Sequence, residues 1–191
     1  MKHKPVFAKI LRILTVAPVM AGALILILSG HSVIPIGRAL FYLLFLCGLP
    51  LLAYPVSLLW GRKCSRERQR NLAICFSVAG YAGGMLWSLL SGGSTPEKAI
   101  CMTYLLSGIL TAVCSFLFRI RASGHACGVS GPVAALCVFA SPVYALGFAL
   151  LIPVCRASLQ LKRHTVPELL LGTVIPIVCL ALSLFLFRQA V

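Results

Sequence analysis

The sequence predicts an all-α protein: a polytopic transmembrane helix bundle of six or seven spans. Three observations predict it. Of the 191 residues only 17 are Lys or Arg and 3 are Asp or Glu, while hydrophobic types make up 60%. A soluble domain carries about 25% charged residues, and the mean hydropathy here is +1.03. Charge-free runs also recur along the whole chain, and a helix crosses the hydrocarbon core with about 20 apolar residues. The runs are continuous, without the alternation of a membrane β-barrel. This composition excludes disorder, which needs low hydrophobicity. A disulfide-stapled secreted module is excluded by length and by nine cysteines that sit mostly inside apolar runs. No polar linker divides the chain. We read 1–60 as an N-terminal two-span segment and 61–191 as the membrane core, integrated in one domain.

The spans follow in order. Between Arg12 and Arg38 no residue is charged, and further uncharged runs cover 40–60, 71–96 and 99–118. The run 122–155 is too long for one span at about 1.5 Å per residue. Ser141-Pro142 is its natural break, because Pro lacks a backbone donor and disfavours helix at the residue before it. Two shorter spans result, near 127–140 and 143–161, and 169–187 is the last. The count is seven, or six if 127–140 is re-entrant. Lys2, Lys4, Lys9 and Arg12 precede the first run in the manner of a signal peptide, but that run is long and more spans follow, so an uncleaved anchor is expected.

Basic residues fall on one side. With seven spans, 14 of them share a face: the four N-terminal ones, those at 62–70, Arg119, Arg121, Arg156, Lys162 and Arg163. Arg38, Lys98 and Arg188 take the other. Cytoplasmic loops carry the excess of Lys and Arg, so this face is expected to be cytoplasmic, in the cell membrane. The distribution speaks against nucleic acid as a partner and for the bilayer.

Three segments on that face carry chemistry. In 63–70, a helix would set Lys63, Arg66 and Arg70 on one side, an arrangement suited to phosphate; a solvated basic loop is the plainer reading. Arg121-Ala122-Ser123-Gly124-His125 opens the next apolar run. Gly124 lets backbone amides approach a ligand, a helix start favours an anion, and His125 can donate a proton there. A turn with an interfacial His is the alternative. In the third, Arg156 and Ser158 precede His164-Thr165-Val166-Pro167-Glu168. Pro167 suits a helix start. Glu168, one of three acidic residues, stands four places after one of four histidines. Its carboxylate can hold the Nδ1 proton of His164, leaving Nε2 as nucleophile or base; a Glu favoured by the helix dipole is the plain alternative. Together the three segments provide the equipment for phosphoryl transfer through a phosphohistidine.

The pattern resembles the type 2 phosphatidic acid phosphatase and vanadium haloperoxidase superfamily, and within it the short bacterial multi-pass members. The family motifs are Lys-x(6)-Arg-Pro, Pro-Ser-Gly-His and Ser-Arg-x(5)-His-x(3)-Asp. Lys63 and Arg70 keep the first spacing, with Asn71 for Pro. Ser123-Gly124-His125 keeps the second, with Ala122 for Pro. His164 and Glu168 keep the end of the third, with Glu for Asp, while Ala157 and Ser158 stand where Ser-Arg would fall. The resemblance spans roughly residues 60 to 185. It implies a lipid phosphatase with His164 as nucleophile, Glu168 as its orienting partner and His125 as proton donor to the leaving oxygen. Lys63, Arg70 and the Ser123-Gly124 backbone would hold the phosphoryl oxygens, and Arg156, Arg121 or Arg163 would stand in for the missing Arg.

The remaining residues suit plainer roles. His3 and His31 lie outside the constellation. The cysteines show no CxxC spacing, which speaks against zinc, and they pack as small hydrophobes. Gly83-Gly84 suits helix packing and Gly92-Gly93 a turn. With no Asp in the chain, neither a magnesium ion nor any other cofactor is expected. The expected activity is therefore metal-independent hydrolysis of a phosphate monoester or diphosphate on a lipid. A catalytically impaired homologue that binds anionic lipid phosphate is the alternative. A small transporter is the second, disfavoured by the scarcity of polar residues within the spans.

Overall fold

The computed structural model describes residue 11, residues 13–59 and residues 65–188, with the side chains of 66 and 188 excepted. Eight α-helices appear there in order: α1 (Ala17–Gly30), α2 (Ile36–Leu43), α3 (Leu49–Leu58), α4 (Arg66–Leu90), α5 (Thr95–Phe116), α6 (Gly124–Phe139), α7 (Leu151–Gln160) and α8 (Val166–Arg188). A π-turn over Leu44–Gly48 joins α2 to α3, and a 3₁₀ stretch over Pro142–Leu150 runs into α7. No strand occurs among the described residues.

Local chemistry sets these boundaries. Ser65 caps α4 by accepting the Arg68 N–H at 3.2 Å. Ser94 and Glu97 form a capping box at α5, the Ser94 N–H donating to Glu97 Oε2 at 2.6 Å. Ser141 caps the 3₁₀ stretch one residue after the break at Ala140. Pro50 has no N–H to give to Leu46, and the helix widens into the π-turn just before it. Gly80, Gly83 and Gly84 of α4 face this turn. A Cβ on Gly80 would meet the Phe45 carbonyl oxygen, and one on Gly83 would lie 2.9 Å from the Phe45 ring.

Five stretches are long and apolar enough to cross a membrane: Ile36–Leu58, Glu67–Leu90, Thr95–Phe116, Pro142–Gln160 and Val166–Phe187. The expectation of seven spans, two of them short, or six with 127–140 re-entrant, resolves into these five stretches and two shorter apolar helices, Ala17–Gly30 and Gly124–Phe139. The physical reason is punctuation inside the uncharged runs. In the first run a turn at Thr15-Val16 separates helical residues 13 and 14 from α1, which ends at Gly30, where Ser32 turns left-handed at φ 59° and Pro35 caps the next helix.

The short α6 is the centre of the bundle. Ala126 and residues 128–136 are all buried, with α1, α8 and the 3₁₀ stretch packed around them. Small residues permit the approach: Gly128 faces the Ala17 backbone, Gly131 faces Pro176, and Gly147 faces Val133. Large apolar side chains such as Leu40, Leu90, Leu146 and Leu170 point outward.

One ion pair closes the far end of the bundle. Arg38 Nε lies 2.8 Å from Glu97 Oε1, and Glu97 is 2% exposed. The guanidinium also donates to the Ser91 carbonyl at 3.2 Å and to Ser91 Oγ at 2.8 Å, and it stacks over Trp87 at 5.0 Å. It thus joins α2 to the α4–α5 turn. Removing one partner of such a pair leaves a buried charge and costs about 3–5 kcal/mol. Arg38→Ala is expected to destabilise by that order in thermal unfolding, with Arg38→Ala/Glu97→Gln recovering more than half of the loss.

Candidate active site

The turns at the other end of the bundle surround a cavity of about 780 Å³. Its wall includes Arg70 from α4, Arg121, Gly124 and His125 from the α5–α6 connection, and Lys162, Arg163 and His164 from the α7–α8 connection. The structure therefore brings Arg70, Gly124, His125 and His164 to one space. Lys63 lies outside the described residues. Below the mouth the wall turns apolar and hydroxyl-bearing, with Ala73, Ile74, Tyr81, Thr103, Tyr104 and Pro132.

The third segment is tightly held. His164 Nδ1 lies 3.2 Å from Glu168 Oε2 and 3.1 Å from the Arg121 carbonyl. Both partners accept, so Nδ1 carries the proton and the neutral ring has its lone pair on Nε2. Glu168 Oε2 also accepts the Thr165 N–H at 2.9 Å, the bond expected of an acidic residue in the first turn of α8. Glu168 stands behind the imidazole and is not part of the cavity wall.

The second segment is anchored to the third. Ser123 is fully buried: its N–H donates to the Glu168 carbonyl at 3.0 Å and its Oγ accepts the Ala126 N–H at 3.4 Å. Ser123 is thereby committed to structure and does not line the cavity; the neighbour that does is Gly124, the first residue of α6. Its N–H has no intrahelical partner, it lines the cavity, and a Cβ there would meet nothing within 4 Å. His125 Nδ1 lies 3.4 Å from the Thr15 carbonyl, just ahead of α1.

Arg156 is exposed on α7 and does not line the cavity. Ser158, at the position of the family arginine, is buried there, and its Oγ has no hydrogen-bond partner among the described residues. Besides Arg70 and Arg121, the cations that reach the wall come from the end of α7. The Arg163 N–H bonds the Ser158 carbonyl at 3.0 Å and the Lys162 N–H the Leu159 carbonyl at 3.0 Å, with Lys162 left-handed at φ 48°. These are the bonds of a Schellman turn, and they present Lys162, Arg163 and His164 in succession. Sequence reasoning named Arg121 and Arg163 as substitutes but gave Lys162 no role at the site. A basic pair just past a helix end was the available signal.

Gly172 was also missed. A Cβ on this α8 residue would collide with the Ser123 carbonyl oxygen and approach its N at 2.9 Å. No group of three or more His, Cys, Asp or Glu that could hold a metal occurs among the described residues. Compared with protein families, with curated proteins and with solved structures, the chain matches none.

Two outcomes follow from this geometry. Gly172→Ala is expected to cost about 1–3 kcal/mol in thermal unfolding, since overpacking against backbone has no cheap relief; Gly30→Ala, facing open space, is expected to cost nothing. Lys162→Gly is expected to gain about 1 kcal/mol by relieving the left-handed turn, while weakening binding of inorganic phosphate in equilibrium dialysis.

Proposed function

We propose that this protein is an integral-membrane lipid phosphatase that works through a phosphohistidine, with a core like that of the type 2 phosphatidic acid phosphatases. One observation carries the reading: His125 and His164 line the same cavity, among Arg70, Arg121, Lys162 and Arg163. The setting supplies the lipid. The cavity opens where apolar helices begin, so a phosphorylated head group can enter while its tails stay among apolar side chains.

The steps follow from the groups present. His164 Nε2 attacks phosphorus, with Glu168 and the Arg121 carbonyl holding the ring through Nδ1–H and stabilising its developing charge. His125 gives its proton to the bridging oxygen as the P–O bond breaks, and the lipid alcohol, or lipid monophosphate from a diphosphate, departs. His125 then takes a proton from water, whose oxygen displaces phosphorus from His164 and releases inorganic phosphate. The cations and the Gly124 N–H hold the non-bridging oxygens, whose charge is the quantity the site stabilises. No step calls for a metal ion. The face bearing the site is read as cytoplasmic from the basic residues gathered there.

Ser158 favours a second reading, a non-catalytic binder of anionic lipid phosphate, because one charge-assisted donor to a phosphoryl group is worth about 10²–10³ in rate. A single assay separates the two. Phosphate release is measured from phosphatidate, phosphatidylglycerol phosphate and a polyprenyl diphosphate, with chelator present. Hydrolysis of at least one is expected, lost in His164→Ala and reduced about 10²–10⁴-fold in His125→Ala. Arg156→Ala should retain full activity. No release from any of the three lipids leaves only the binding reading.

A further inference from the structure

A second, smaller cavity of about 350 Å³ adjoins the first, lined by Glu67, Arg70, Asn71, Ser115, Phe116, Arg119 and Arg121. Arg70 and Arg121 are common to both walls, as are Glu67 and Ser115. Three guanidiniums therefore meet one carboxylate here. Glu67 does little to neutralise them: its Oε1 is 3.9 Å from Arg70 Nη2, and the carboxylate is largely exposed. The other contact of that guanidinium with the wall is a long one, Nη2 to Asn71 Oδ1 at 3.5 Å, and Arg70 Nε is buried without a hydrogen-bond partner among the described residues. Arg119 is brought in by an uncommon backbone. It is left-handed at φ 57°, in a turn closed by the Ile120 N–H to the Cys114 carbonyl at 2.8 Å. Left-handed residues of this kind close helix C-termini, and the turn carries Arg119 to the wall of the second cavity.

We propose that this cavity is a second phosphate subsite, and that the ligand carries two phosphoryl groups, one in each cavity. Two separate phosphates against shared arginines would repel each other. Two phosphates joined in one molecule carry that repulsion already, and gain both sets of guanidinium contacts for a single loss of translational freedom. Guanidiniums that line both walls suit a bridge of this kind, because each fork can address oxygens on either side. Arg119 belongs to the second cavity alone and sets the preference for a diphosphate or bisphosphate over a monophosphate. The inference deepens the lipid phosphatase reading and rests on it for the lipid, but the subsite is tested by binding.

The experiment is equilibrium binding to the full chain in detergent, with methylenediphosphonate and methylphosphonate as probes, for the parent protein and Arg119→Gln. The diphosphonate is expected to bind at least tenfold tighter than the monophosphonate, and Arg119→Gln is expected to erase most of that ratio. Thermal unfolding of Arg119→Gln in the absence of ligand confirms that the variant is folded. Equal affinity for the two probes, or a ratio that survives Arg119→Gln in folded protein, overturns the subsite. Lipid hydrolysis, measured separately, decides the parent reading: absent phosphate release with an intact diphosphonate preference removes the phosphatase and keeps the subsite.

Discussion

Glu168 is the residue on which the cavity end of the molecule depends. Its carboxylate accepts from His164 Nδ1 and from the Thr165 N–H, while its backbone carbonyl accepts from the Ser123 N–H. His164 Nδ1 reaches the Arg121 carbonyl as well. One residue thus ties the α7–α8 turn to the α5–α6 turn, and so sets one imidazole against the helix that bears the other. Gly172 makes the closeness feasible, since α8 passes the Ser123 backbone where no side chain would fit. The two turns are far apart along the chain, and in the absence of this clamp neither segment by itself specifies a pocket.

The distribution of charge follows from the same economy. Ionised groups are costly inside hydrocarbon, and this chain keeps them at the helix ends. At the far end Arg38 and Glu97 neutralise each other and lock α2 to the α4–α5 turn. At the site end Arg70, Arg119, Arg121, Lys162 and Arg163 face cavity space, with Glu67 on the same walls and Glu168 behind the His164 imidazole. Such an excess of positive charge near low-dielectric walls attracts and orients anions. The two ends thus differ: a paired charge at the far end, and an excess of cations over carboxylates at the cavity end.

The fold was legible where the sequence carries hard punctuation. Ser141-Pro142 marks the break that the structure shows between α6 and the 3₁₀ stretch, and Pro167 and Glu168 do fall in the first turn of α8. The lengths of α1 and α6 were not legible, because an uncharged run bounds a helix without ending it; Pro18, Gly30 and the left-handed Ser32 do that locally. At the site, the histidines, Gly124 and Arg70 could be singled out by type and spacing. Ser123 could not be separated from Gly124, because which of two adjacent amides faces the cavity depends on where α8 passes. Lys162 escaped a register-based search for one arginine, and Arg163 entered it only as a substitute, since it is the Schellman turn that swings both to the wall while Arg156 stays outside.

The most direct test of the account is an experimental structure of the full chain in a lipid environment with orthovanadate, an analogue of the phosphoryl group in transfer. Vanadium is expected within bonding distance of His164 Nε2, with His125 within hydrogen-bond reach of an apical oxygen and Arg70, Arg121, Lys162 or Arg163 on the equatorial oxygens. Imidazoles turned away from each other, with no oxyanion between them at saturating vanadate, would contradict it.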